Sequence, residues 1–205
     1  MRVILLNGSP HSKGCTFTAL SEVESQLIEN GIETKMIHIG AKPMRGCIGC
    51  NKCANGRCIF NDDLANELLN EMETADGLVI GSPVYYASAN GSLISLLDRV
   101  FYAGNNFAYK PGAAIVSARR AGTTATLDEL NKYFTISNMP VVPSQYWNMV
   151  HGSTPEEVKQ DLEGLQVMRT LGNNMAWLLK CIEAGKKSEI LPPVPEKKMW
   201  TNFIR

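Results

Sequence analysis

Arg2–Asn7 reads RVILLN and runs straight into Gly8-Ser9-Pro10-His11-Ser12-Lys13-Gly14-Cys15-Thr16. The first stretch has the pattern of a short buried strand. The second is a loop of small and hydroxyl residues, and a helical pattern starts near Thr16. Strand, small-residue loop and helix in that order make a seat for an anion, because the first N–H groups of a helix have no intrahelical partner and its dipole favours negative charge. The loop lacks GxGxxG, and Lys13 precedes the second glycine rather than following it as a Walker loop requires. A single phosphate monoester, such as that of FMN, fits better than a dinucleotide or a triphosphate. Ser9 and Thr16 offer hydroxyls, the backbone of Lys13–Thr16 offers donors, and His11 or Lys13 offers a cation. A plain strand-to-helix turn uses the same residue types, so this loop has to be read with the rest of the chain.

Working outward, strand and helix signals alternate. Thr16–Asn30 reads as a helix closed by Gly31, and Glu33–Ile39 as a second strand. Asp62 or Asp63 can cap a helix over Leu64–Thr74. Gly77–Gly81, GLVIG, is a third strand, apolar throughout as in a parallel sheet covered on both faces. A loop over Ser82–Ala89, a helix over Asn90–Tyr102, a strand over Ala113–Ser117 and a helix over Thr124–Ser137 follow, and a fifth strand starts at Pro140-Val141-Val142. Thr154-Pro155-Glu156-Glu157 is a helix start, with a threonine cap, proline in the first turn and Glu157 closing a capping box. That helix is expected to reach Glu183, with weak spots at Gly164 and Gly172. Five strand–helix units predict an α/β fold: a flavodoxin-like, doubly wound, five-stranded parallel sheet in the order 2-1-3-4-5, with helices on both faces. Ligand is then expected at the carboxyl ends of strands one, three and four. Residues 1–184 form this domain, with an inserted cysteine loop over 40–61. Residues 185–205 form a tail whose Pro192-Pro193 and Pro195 exclude helix. The tail places Lys197-Lys198 before Met199-Trp200 and Phe203-Ile204. It reads either as a segment packing on a partner subunit or as a frayed end.

The bulk numbers narrow the function classes. Twenty basic and twenty acidic residues give zero formal net charge, which argues against a nucleic-acid binder working by phosphate neutralisation. A hydrophobic share of 44% and a charged share of 20% suit a globular domain. No apolar run approaches membrane-spanning length, and Met1 leads at once into a strand rather than a signal peptide. The expectation is a cytoplasmic protein, with no membrane or nucleic-acid partner.

Two further loops fall at the predicted strand ends. Gly81-Ser82-Pro83-Val84-Tyr85-Tyr86 follows strand three; its amides suit the polar edge of a flat heterocycle, and one of the two tyrosines suits its face. Ser117-Ala118-Arg119-Arg120-Ala121-Gly122-Thr123 follows strand four. Its small residues permit close backbone approach. An arginine there can stabilise a reduced, anionic ring or bind a nicotinamide donor's phosphate, though solvated surface arginine is the simpler reading of either one alone. Tyr146-Trp147-Asn148 suits either a roof over a flat ligand or a plug in the core. Cys181 reads as a core cysteine, and Asp98-Arg99 as an ion pair or cap.

GSPHSKGCT at 8–16, GSPVYYASANGSLISLLDR at 81–99 and PGAAIVSARRAGTT at 111–124 occur in order at the ends of successive strands. On these three stretches, residues 1–150 resemble the NADPH-dependent FMN reductase and multimeric flavodoxin group. The resemblance implies FMN bound through the first loop, with its ring over the second and third, in a homodimer or homotetramer whose subunits complete the pocket. Position by position, it implies that Ser9, His11, Cys15 and Thr16 meet the phosphate. Pro83, Val84, Tyr85 and Tyr86 line the ring, and Ser117, Arg120 and Gly122 close it. The chain departs from the group at His11 and Cys15, where arginine and asparagine are usual.

Six cysteines are present, and Cys47, Cys50, Cys53 and Cys58 crowd into twelve residues. In a reducing compartment such a set reads as a metal or redox site rather than a disulfide frame. Two-residue gaps let one loop wrap a cubane, but the last gap is four residues and no proline follows, unlike a ferredoxin run. Three readings stay open on spacing: a [4Fe–4S] cluster, a zinc ion on four thiolates, or unmetallated thiols. The compact run resembles that of the iron–sulfur flavoproteins, which implies Cys47, Cys50, Cys53 and Cys58 as [4Fe–4S] ligands. The expected function is an FMN-dependent oxidoreductase. NAD(P)H would be its donor, and a quinone, azo, nitro, flavin or protein molecule its acceptor. The alternatives are an electron carrier between FMN, a [4Fe–4S] cluster and a ferredoxin-like partner, and a zinc-stabilised binding domain without flavin.

Overall fold

The computed structural model describes residues 1–104, 106–197, 199 and 201. Lys198, Trp200, Phe203 and Ile204, on which a packing role for the tail would rest, lie outside the described residues. In chain order the elements are β1 (Arg2–Asn7), α1 (Cys15–Glu29), β2 (Glu33–His38), α2 (Ala65–Thr74), β3 (Gly77–Tyr85) and β4 (Ser88–Ala89). There follow α3 (Gly91–Ala103), β5 (Gly112–Ala118), α4 (Thr123–Ile136), β6 (Met149–His151), α5 (Pro155–Val158) and α6 (Leu162–Lys187).

The parallel strands lie in the order β2-β1-β3-β5-β6, which is 2-1-3-4-5 once the two-residue antiparallel β4 is set aside. Alternation along β1 explains the layering. Val3 and Leu5 face a core built from α1 and α6 residues such as Leu20, Val23, Leu171 and Met175. Ile4 and Leu6 face a second core with α2, α3 and α4 residues such as Leu68, Met72, Leu97 and Phe134. Both faces of the central strands are therefore dry, as their continuous apolar sequence requires. Helix α1 ends as read: Gly31 is left-handed at φ 77° and Ile32 N–H donates to the Leu27 carbonyl at 2.9 Å.

Three details differ from the sequence reading. Strand three does not stop at Gly81. Its pairing with β5 continues through Ser82 and Pro83, and Val84 and Tyr85 turn back onto Ala89 and Ser88. Pro83 takes part in the strand because a parallel neighbour needs no N–H from every residue. Strand five touches the sheet twice, first through a bridge from Val141 to Gly112 and then as β6 beside Val116–Ala118, with residues 143–148 looping out between. The last helix is broken at Lys159–Asp161, not at its glycines. Asp161 terminates the gap by accepting from Gly164 N–H at 2.9 Å and from His151 N–H at 2.7 Å. Gly172 instead lets α6 lie close on α1, since a Cβ there would stand 2.8 Å from the Val23 carbonyl oxygen. No helix among the described residues is long and apolar enough to cross a membrane.

Candidate functional site

The loop after β1 is organised from within. Buried Asn7 accepts from Ser9 N–H at 3.1 Å, and the Ser9 hydroxyl accepts from His11 N–H at 3.1 Å. His38, at the end of β2, meets the Ser9 carbonyl at 2.9 Å. The chain then enters α1 at Gly14, where no side chain caps the helix. The leading amides of a fifteen-residue helix thus face the loop's interior, which is the arrangement that receives an anion.

The other two strand-end loops are bonded to this one. Gly8 N–H donates to the Gly81 carbonyl at 2.8 Å, and Asn90 Nδ2 donates to the Gly8 carbonyl at 2.7 Å. A Cβ at Gly8 would lie 2.7 Å from the Gly81 oxygen, so only glycine allows this approach. Thr16 and Ser117 share a buried hydroxyl hydrogen bond of 2.8 Å, which draws the end of β5 to the start of α1. Gly122 caps α4 in a left-handed conformation against Val84. The structure therefore brings Ser9, Thr16, Pro83, Val84, Ser117 and Gly122 together at one end of the sheet.

The remaining named residues are placed differently. His11 and Arg120 are exposed at the rim. Cys15 donates its thiol to the Gly152 carbonyl at 3.6 Å, toward the turn after β6. Burial, with the nearby Glu157 and Glu156 carboxylates, pushes that thiol's pKa up. Tyr85 and Tyr86 are both exposed, where one buried and one exposed ring was expected. Tyr86 sits at φ 53° in the tight turn between β3 and β4. Trp147 does not plug the core. It is half exposed, edge-on to Tyr146, and it is Asn148 that is buried, donating to the Ala114 carbonyl at 3.1 Å. Cys181 is exposed rather than in the core, because it lies on the outer face of α6.

The second centre lies over α2 and α3. Cys47, Cys50, Cys53 and Cys58 line one small pocket, completed by Ile48, Asn51, Phe60, Arg99 and Tyr102. Burial and the neighbouring sulfurs of Cys58, Cys50 and Cys47 push the Cys53 thiol up, an electrostatic mark of four thiols sharing one space. Among the described residues no three metal-ligating side chains gather about a single point.

Two residues hold this loop: Asn66, which the sequence reading passed over, and Arg99, which it read as part of an ion pair or cap with Asp98. Asn66 of α2 accepts from Cys58 N–H at 2.9 Å and donates to the carbonyls of Cys58 and Phe60 at 2.8 and 3.0 Å. Arg99 of α3 is 2% exposed. Its Nε donates to Cys58 Sγ at 3.4 Å, its other nitrogens donate to the carbonyls of Arg45 and Phe60 at 3.3 Å each, and it pairs with Asp63. Burial opposes its charge, but Asp63 and the Cys58 sulfur more than compensate and hold its pKa above the usual value. The expected Asp98–Arg99 pair does not form; Asp98 instead accepts from the Tyr133 hydroxyl at 2.5 Å. A charged residue within an otherwise apolar helix face at 93–100 was the available signal for Arg99. For Asn66 there was none beyond its place in the first turn of α2.

Residues 1–154 match the family described as NADPH-dependent FMN reductase. An iron-sulfur flavoprotein of Methanocaldococcus jannaschii is 34% identical over 193 residues, covering 89% of this chain and 100% of that protein. Among solved structures, RosB with bound 8-demethyl-8-formylriboflavin-5'-phosphate superposes at a TM-score of 0.70 with 15% identity, covering 100% of this chain and 93% of that one. A flavodoxin from the domain Archaea superposes at 0.60 with 15% identity, covering 88% of this chain and 99% of that one. At such identities the last two show a common flavodoxin-like fold.

Proposed function

The chain belongs to the NADPH-dependent FMN reductase family, and from that premise we propose that it is an FMN-dependent oxidoreductase whose four-cysteine pocket carries a [4Fe–4S] cluster. One observation carries the flavin site: the loops after β1, β3 and β5 are bonded to one another around an uncapped helix start. Ser9 and the leading amides of α1 hold the phosphate. Thr16 fixes the helix start to Ser117, and His11 supplies positive charge at the rim when protonated. Pro83, Val84 and Gly122, close together at the strand ends, line the ring, with exposed Tyr85, Tyr86 and Arg120 beside it. Cys15, whose thiol is committed to Gly152, shapes the turn behind the phosphate. When bound, FMN accepts a hydride and gives up electrons singly or in pairs, so no acid or base from the protein is required for the first half-reaction.

Four thiols lining one pocket suit a centre held by four thiolates, and the 34% identity to an iron-sulfur flavoprotein of Methanocaldococcus jannaschii favours an iron–sulfur cluster over zinc. Cys47, Cys50, Cys53 and Cys58 would be its ligands. Such a centre passes electrons one at a time, which suits a ferredoxin-like protein partner. Without it, small quinone, azo or nitro acceptors would be the natural outlet. We assign NAD(P)H as donor on family grounds, a homodimer or homotetramer as the working form, and a reducing compartment such as the cytoplasm, in keeping with six free cysteines.

Anaerobic purification with FMN, iron and sulfide assays on one sample tests this. About one FMN and about four irons per chain are expected, with the flavin reduced on adding NADPH or NADH. Iron-free protein that turns over a quinone would leave the flavin enzyme and remove the cluster. Protein that takes up no FMN on titration would overturn the reading as a whole.

A further inference from the structure

A fully buried guanidinium is expensive unless its charge and its N–H groups are all met. Arg99 meets them almost entirely in the cysteine loop. It reaches the Arg45 carbonyl ahead of the first cysteine, the Cys58 sulfur at the last, and the Phe60 carbonyl just beyond, with Asp63 supplying the counter-charge. The Phe60 ring lies between two cations, with Arg45 at 4.5 Å and Arg99 at 5.8 Å from its centroid. One side chain from α3 thus closes both ends of the loop that carries all four thiols. The hydrogen bond to sulfur falls on one cysteine of the four among those the structure shows.

We propose that Arg99 is a positioning residue for the four-cysteine centre. It clamps the loop in a ligand-ready shape, and its Nε–H bond to Cys58 Sγ stabilises the more negative, reduced form of the centre, raising its potential. The inference rests on the iron–sulfur reading of the pocket. The physical cause is general: a hydrogen bond and a positive charge beside a ligating sulfur lower the cost of adding an electron to the cluster, and partners beyond the ligands orient them and tune the metal. Lysine at this position keeps the charge but lacks the planar fork that reaches two carbonyls and a sulfur at once.

Arg99→Lys and Arg99→Met, purified anaerobically beside the parent protein, give the test. The parent and the lysine variant are expected to hold iron within twofold of each other, with the lysine variant at a lower potential in a redox titration followed by electron paramagnetic resonance. The methionine variant should lose iron about fivefold while retaining FMN. To keep the test independent of how the variants fold, the parent protein labelled with 15N-arginine supplies a second measurement: a pulsed-resonance coupling between the reduced centre and an arginine nitrogen. Iron-containing protein with no such coupling, or an unchanged potential in a loaded lysine variant, overturns the role of Arg99 alone. Parent protein without iron overturns both this role and the cluster reading beneath it.

Discussion

The loop at 8–16 and the loop at 40–61 are the two candidate binding loops, and they are held in different ways. The first is short and lies where topology puts it. It joins two regular elements and bonds to its neighbours through the Gly8–Gly81 backbone pair and through short contacts at the strand ends, Asn90 to Gly8, His38 to Ser9 and Thr16 to Ser117. The second spans some twenty residues without regular secondary structure beyond one bridge at Ala54 and Arg57. Its order comes from side chains sent up from the helices beneath, Asn66 and Arg99 above all. A site made at strand ends inherits its geometry from the sheet, whereas a site made in an insertion needs anchors of its own.

The sharpest way to break the contrast is to attack the backbone contact. Gly8→Val would force a Cβ against the Gly81 carbonyl and Leu93, and a loss of about 3 kcal/mol is expected. Denaturant midpoint and FMN content should both fall, with FMN lost ahead of iron. Next comes an anchor of the second loop. Asn66→Ala would strip the partners from Cys58 N–H and from the Cys58 and Phe60 carbonyls, at about 2 kcal/mol. Iron should fall while FMN is retained. A variant that loses both in parallel would show that the two loops stand or fall together.

The smallest effect probes the frame that both loops share. Glu71 of α2 accepts from Arg2 of β1 at 2.5 Å and Lys35 of β2 at 2.6 Å. Hydrogen bonds from Lys35, then Arg2, hold its pKa below the usual carboxylate range. A lowered folded pKa means that ionised Glu71 stabilises the fold at neutral pH, and that this contribution disappears as pH falls through that lowered value. Glu71→Gln should therefore cost under about 1 kcal/mol at pH 7 for so accessible a pair. The gap to the parent should close below about pH 4. A gap that widened in acid would show that the carboxylate is not what the two cations need.

The strand order and the three strand-end loops were legible because they rest on local signals: apolar runs, small-residue loops and helix starts. Pairing across the sheet was not. Gly77–Gly81 gives no warning that the strand continues to Tyr85, because what extends it is the neighbouring β5, which no local pattern displays. The break near Lys159 was hidden for a similar reason, since Asp161, which caps the start of α6, accepts from His151 N–H, ten residues earlier. In the candidate site, residue types were readable but their directions were not. Cys15 sits in the right turn yet sends its sulfur to Gly152, and Arg99 reads as an ion pair or cap with Asp98 but pairs instead with Asp63 beneath the cysteine loop.

Helix α3 begins at Asn90, which ties the strand-end loops together, and reaches Arg99 nine residues on, about 13 Å along its axis. The two loops thus keep their separation through the stiffest element available, not through the chain that connects them. Length can be added to or taken from the insertion without moving either anchor. A single residue added within α3 between them turns Arg99 by about 100° away from Cys58. For this molecule the spacing of the two sites follows the phase of one helix, while the length of the insertion is bounded by the cysteine run it has to keep in register.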